Sequence, residues 1–234
     1  MKKQSAVVIL SLFILFVVVA AASFYLYPGN DVSSTGDSQL KVLGTESYGT
    51  VVREGPYGNT TSKVKIAYIV GVHPKEANAH RAIRETIKNQ SKSLKYCYYI
   101  YRINVTEDAD NYNKGRNNGQ VLARDYAVPD IVKNDFQLAV DVHSNVGNWK
   151  ENRFIFTPVE KEGSKEMAMK IKSELPWLTY YVPPNPTSTQ YVTVPLINGG
   201  VPSVLYETYT HEPYRTTLEH AEEFVQVVDG LDLG

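Results

Sequence analysis

Phe136-Gln137-Leu138-Ala139-Val140-Asp141-Val142-His143-Ser144-Asn145 carries an apolar run straight into a polar cluster. The run is short and rich in Val, Leu, Phe and Ala, as a buried strand is. His143 therefore falls at a strand end, where a side chain is rigidly placed and where open α/β sheets gather their sites. Asp141, two residues earlier, points to the same side of the pleat. It is placed to orient His143 or to bond nearby backbone. Taken alone, the cluster reads as a satisfied histidine at a strand end.

Outward from this stretch, strand-like and helix-like segments alternate. Towards the N-terminus, Gly119–Val132 carries apolar residues at helical spacing, and Tyr96–Val105 is an aromatic, β-branched strand. Ala77–Ile87 holds helix formers after Pro74, and Lys63–Val70 begins alternating and ends apolar. Towards the C-terminus come a short extended segment, Phe154–Pro158, and a helix, Lys165–Leu175. An irregular loop with Pro183, Pro184 and Pro186 leads on to a strand, Val201–Tyr206, and an amphipathic helix, Thr216–Val228. This order predicts a single α/β domain with a mixed, mostly parallel twisted sheet flanked by helices.

The beginning of the 234-residue chain reads differently. Lys2 and Lys3 precede Ser5–Tyr27, which has no charge and is long enough to cross a bilayer. Residues 1–27 are expected to be a membrane anchor with the remainder outside. The alternative is a signal segment cut near Ala20-Ala21-Ala22 and a secreted product. Residues 28–45 are small and polar and predict a linker; residues 46–234 then form the folded domain. Of 24 basic residues, Lys2 and Lys3 lie in the leader, leaving 22 against 25 acidic ones, a net of −3. No basic patch points to nucleic acid. Cys97 is the one cysteine, so an intrachain disulfide and a Cys-rich zinc site are both excluded.

Two further polar clusters follow apolar strands. His73 and Glu76, in Gly71-Val72-His73-Pro74-Lys75-Glu76, are three apart at a loop entering a helix and can grip one ion from one face. They are equally a surface histidine and an ordinary first-turn glutamate. In Val204-Leu205-Tyr206-Glu207-Thr208 a carboxylate emerges from an apolar strand, which is costly without a partner. A base acting on zinc-activated water would explain it, and so would an arginine neighbour.

The ordered set, His-x-x-Glu, His after a strand, Glu after a late strand, resembles the zinc carboxypeptidase superfamily, including its succinylglutamate desuccinylase and aspartoacylase branch. The resemblance spans roughly residues 60–210. It implies one Zn²⁺ held by His73, Glu76 and His143, with Glu207 activating water. It also implies an arginine, commonly in an Asn-Arg pair, gripping a substrate carboxylate. Here the order is Arg116-Asn117, with Arg124 and Arg153 as alternatives, and Arg116 is placed to steady the oxyanion as well. The family's mobile substrate tyrosine corresponds to Tyr191. His80, one turn beyond Glu76, is set aside because a ligand from a separate strand closes a tetrahedral site better.

The function expected is zinc-dependent amide hydrolysis outside the cell, carboxypeptidase-like, on a peptide or cell-wall peptide. Deacylation of a small N-acyl amino acid is the enzymatic alternative. A non-catalytic binding domain that keeps the fold is the other.

Overall fold

A computed structural model of the chain describes residues 39–234, which form one compact unit. Eight strands make a single sheet: β1 (Gln39–Glu46), β2 (Gly49–Gly58), β3 (Lys65–Val70), β4 (Cys97–Val105), β5 (Leu138–Asn145), β6 (Phe154–Phe156), β7 (Thr179–Tyr180) and β8 (Ser203–Tyr209). Their order is β1-β2-β4-β3-β5-β8-β6-β7. The central four, β4, β3, β5 and β8, run parallel. The β1–β2 and β2–β4 pairs are antiparallel, as is β8–β6, so the sheet is mixed around a parallel centre.

Six helices cover it: α1 (Ala77–Asn89), α2 (Tyr112–Leu122), α3 (Val128–Lys133), α4 (Ser164–Glu174), α5 (Thr193–Asn198) and α6 (Tyr214–Gly230). The pleat sorts the core into two layers. Ile66, Tyr68 and Val70 of β3 pack with Ile83 of α1 and Phe224 of α6, while Ala67 and Ile69 pack with Leu122 of α2 and Ile131 of α3. On β5 the same alternation puts Val140 and Val142 towards α1 and α6. Asp141, His143 and Asn145 thereby share the opposite face with Ala139.

Two expectations are corrected. The segment 28–45, read as linker, ends in a strand: β1 pairs with β2 from Gln39 to Glu46, so the domain begins at the start of β1 rather than at residue 46. The strand escapes a hydrophobic pattern because it is an edge. Its side chains are largely exposed and its backbone ladder holds it. The helix expected over Gly119–Val132 begins earlier, at Tyr112, where the Asn111 side chain accepts from Lys114 N at 3.0 Å. A wider π turn, Ala123–Ala127, joins α2 to α3. The segment 1–27, expected to anchor the chain, lies outside the described residues. Among those described, no helix is long and apolar enough to cross a membrane.

Candidate metal centre

One loop and two strand ends bring the site together at the carboxyl edge of the parallel strands. β3 ends at Val70, and Gly71 turns the chain at φ +89°, so tightly that a Cβ there would lie 2.0 Å from Ile103 O. That turn delivers His73, buried, in front of the sheet. Glu76 occupies the cap position of α1, where a carboxylate ordinarily bonds the helix N–H groups. It makes no such bond; its oxygens face His73 and His143 instead. His143 arises from β5 in parallel register with Glu207 of β8, so both project from the same face of adjacent strands.

The distances are short. His73 Nδ1 is 2.8 Å from Glu76 Oε1, and His143 Nδ1 is 2.9 Å from both Glu76 Oε2 and His73 Nδ1. Among the described residues these three are the group whose donor atoms converge as a metal site does. Arg116 Nη1 donates to His73 Nδ1 at 3.0 Å, which makes that nitrogen a lone-pair acceptor and leaves the ring proton on Nε2. The proton on His143 Nδ1 faces the His73 nitrogen and the Glu76 carboxylate together and cannot serve both at full strength. A cation between them can, and nitrogen and oxygen donors of this kind suit zinc. The residues fit the ion.

Each of the three side chains is braced from behind. His143 Nε2 forms a 3.0 Å ion-pair contact with Asp141 Oδ1, off hydrogen-bond alignment, and Thr193 Oγ1 donates to Asp141 Oδ2 at 3.2 Å. The Gln120 carboxamide lies 3.2 Å from His73 Nε2. The amide nitrogen stands at that distance; turned about its terminal bond, the same carboxamide presents its oxygen to a proton on His73 Nε2. Gln120 reaches it because Gly119 lets α2 press against the loop: a Cβ there would meet Val72 O at 2.0 Å. Ser144 N donates to Glu76 Oε2 at 3.1 Å.

Charge is distributed unevenly. Burial lowers the His73 pKa to about 4, keeping it neutral and ready to ligate. Burial opposes charge on His143 too, but Asp141 and Glu76 outweigh it and raise its pKa. Burial would raise Glu76, yet His73 and His143 hold it well below the usual carboxylate range. Glu207 is the exception. Burial and then the Glu76 carboxylate push it up to about 8, against the weaker pull of His143, Asn145 and Arg116. Its hydrogen bond is a long one, 3.4 Å from Asn145 Nδ2.

His73, Glu76, Arg116 and Glu207 line one cavity of about 610 Å³, with His143 behind them. Arg116 stands on α2, with its guanidinium 5.0 Å from the centre of the Tyr112 ring. Asn117, Arg124 and Tyr191 are not among the residues lining the cavity. Arg124 pairs with Asp125 at 2.6 Å on the surface, and Tyr191 packs against the core beneath α2 and α3. Arg153 is tied to Glu212 through Nε at 2.7 Å and Nη2 at 2.6 Å. His80 Nε2 bonds Val142 O at 3.1 Å and takes no part in the cluster. Gln120 and Asn145 carry no sequence signal of their own: each works through a contact remote along the chain.

No family model matches the sequence, and no curated protein does. Solved structures match. The cell shape determinant protein Csd4 from Helicobacter pylori, bound to a tripeptide, superposes with a TM-score of 0.56 at 8% identity, over 80% of this chain and 56% of that one. A metallo-carboxypeptidase from Pseudomonas aeruginosa, in complex with (2-guanidinoethylmercapto)succinic acid, does so with 0.54 at 11%, over 78% and 60%. This chain has the metallocarboxypeptidase fold. It spans a little over half the length of these two proteins, and at such identities the fold is what is shared. Within that fold, the His73, Glu76 and His143 side chains converge at the carboxyl ends of the parallel strands.

Proposed function

We propose that the chain is a zinc-dependent hydrolase that cuts an amide bond in a peptide. The observation that carries this reading is the pairing of a convergent His73–Glu76–His143 donor set with a carboxylate, Glu207, that lines the same cavity without a cation of its own. Zinc held there supplies Lewis acidity, polarising the scissile carbonyl and acidifying the attacking water.

The side chains divide the remaining work. Glu207 accepts the proton of the attacking water and passes it to the leaving amine nitrogen. Asn145 Nδ2, whose two protons go to Asn152 O and Thr208 O at 3.0 Å, shares one of them weakly with that carboxylate at 3.4 Å. Arg116 sits within hydrogen-bond reach of two ligand atoms, close enough to meet negative charge developing on the carbonyl oxygen. Asp141 and Gln120 fix the two imidazoles so that each turns Nδ1 inwards. Hydrolysis is favoured over a binding role because a purely binding domain has no use for an un-neutralised carboxylate beside the donors. The uncharged run Ser5–Tyr27 in the sequence supports display of this domain outside a membrane, anchored by that segment or secreted.

The test is zinc content by elemental analysis together with hydrolysis of a peptide panel. Wild type should bind one ion and hydrolyse. Glu207→Gln should keep the ion and lose activity by roughly 10²–10⁴-fold, the usual contribution of a general base. A wild type that binds no zinc, or a Glu207→Gln protein as active as wild type, defeats the reading.

A further inference from the structure

A hydrolase that removes a terminal residue holds the terminal carboxylate most firmly with a free cation near the site. The sequence offered Arg116, Arg124 and Arg153 for that role, and the structure disposes of them differently. Arg153 has both its fork nitrogens on Glu212, and Arg124 is paired with Asp125 outside the cavity. Arg116 does line the cavity, but its Nη1 lies 3.0 and 3.2 Å from His73 and Glu76. That position suits the reacting carbonyl itself, and a carboxylate beyond the leaving nitrogen lies several ångströms further out. Among the described residues, Lys75 is the one other cation on the cavity wall, exposed at the turn into α1. A hydrated ammonium on a flexible stem is a poor substitute for a planar fork.

The walls are suited to a different substrate end. Asn111, Asn113, Asn148 and Asn185 line the cavity with neutral side chains that carry both donors and acceptors, the complement of peptide N–H and C=O groups. Two large apolar residues remain in solvent at its edge: Tyr112, 61% exposed at the start of α2, and Val146, 59% exposed just past β5. Both stand where a chain running out of the cavity would pass over them.

We propose that the substrate is a peptide whose chain continues past the scissile bond on both sides, so that the enzyme cuts within it and needs no free terminal carboxylate. This rests on the hydrolase reading above. In the reaction the amide C–N bond breaks, the carbonyl carbon gains hydroxyl from water, and the amine nitrogen gains the proton carried by Glu207.

Zinc-loaded wild type would be given matched peptides, identical except that one ends in a free carboxylate and the other in a carboxamide. Products would be mapped by mass spectrometry. The two should be cut at the same internal bonds with kcat/KM within about threefold of each other. A terminal clamp would instead make the amide slower by on the order of ten- to a hundredfold, the worth of a charged hydrogen bond. Binding without turnover is read in parallel by calorimetry on the zinc-loaded Glu207→Gln protein, where the two peptides should show equal Kd within threefold. Release of the last residue alone, or a tenfold preference for the free acid in rate or binding, overturns the proposal and leaves the hydrolase intact. Binding of both peptides with no cleavage of either by wild type overturns hydrolysis itself, and this proposal with it.

Discussion

Two carboxylates are set into this sheet in opposite ways. Glu54, on β2, is nearly inaccessible and collects three cations: Arg84 at 3.2 Å, Arg102 at 2.9 Å and Lys88 at 2.7 Å. Burial would raise its pKa, yet Lys88, Arg84 and Arg102 together bring it below the ordinary value. Glu207, on β8, has a neutral amide at 3.4 Å for company and a second carboxylate, Glu76, near enough to push it up. The fold can therefore neutralise a buried carboxylate when stability is the only demand. At Glu207 the protein's own positive groups, His143 and Arg116, pull too weakly to offset burial and Glu76, and a bound cation would add what they lack. The first carboxylate is a structural tie; the second is held at a disadvantage that a ligand relieves.

If that contrast is right, the largest effect comes from the ion. A ligand that binds the folded state alone stabilises it by about 4 kcal/mol at a thousandfold excess over its Kd. Chelation of zinc-loaded protein should lower stability by roughly that amount in denaturant melts, and zinc, not magnesium, should restore it. The Glu54→Gln protein should lose as much on chelation as wild type does, because its tie is independent of the centre. A wild type whose melt ignores chelator would erase the distinction between the two carboxylates.

Removing the structural tie comes next. Glu54→Gln leaves Arg84, Lys88 and Arg102 facing one another. Breaking a fully buried pair costs about 3–5 kcal/mol. These cations keep about a third of their surface in water, so a loss of roughly 2–3 kcal/mol is expected after allowing for screening. Denaturant midpoints measure it, and zinc stoichiometry should stay at one. A drop in metal affinity would show that the two regions are coupled.

What the sequence revealed follows the same division. β3, β4, β5 and β8 are apolar runs because both their faces are covered, and the residues following or ending β3, β5 and β8 could be read as a site. β1 was illegible because a solvent-facing edge imposes no pattern, as exposed Leu40 and Val42 beside Lys41 show. The start of α2 was illegible because Gly115 and Gly119, poor helix residues, serve close packing there. Arg116 lines the cavity and its neighbour does not: one step along a helix turns a side chain about 100°, which carries Asn117 off the cavity. Gln120 bonds a histidine 47 residues away, and only folding makes that contact.

Gln120 offers a smaller perturbation on the cation's side of the comparison. Gln120→Leu removes the acceptor behind His73 and should weaken zinc binding by about 10–100-fold, the usual cost of losing such a partner. Gln120→Glu, which keeps an acceptor and adds charge, should bind at least as tightly as wild type. Competition titration against a chromogenic chelator reads both. Equal affinity in all three proteins would mean that His73 is oriented by the loop alone.

The smallest effect is also the most selective, because it needs neither substrate nor ion. In zinc-free protein Glu207 has a folded pKa of about 8 against an ordinary 4.5, so between those values the folded state holds a proton that the unfolded chain releases. Its contribution is fully present below about pH 4.5 and is lost as pH rises through 8. His73 and His80, both lowered to about 4 by burial, act in the opposite sense, losing stability as pH falls below their unfolded value of 6.5. The sum below pH 6.5 is therefore mixed, and the difference between wild type and Glu207→Gln isolates the carboxyl. Glutamine mimics its neutral form, so the two proteins should match near pH 4.5. At pH 8.5 the variant should be the more stable by roughly 1–3 kcal/mol, the penalty for a buried group short of partners. Saturating zinc should shrink or reverse that gap, since a divalent cation beside Glu207 favours its charged form. A gap that is flat with pH in zinc-free protein would mean that Glu207 is ionised and solvated like any surface glutamate, with no deficit for a cation to fill.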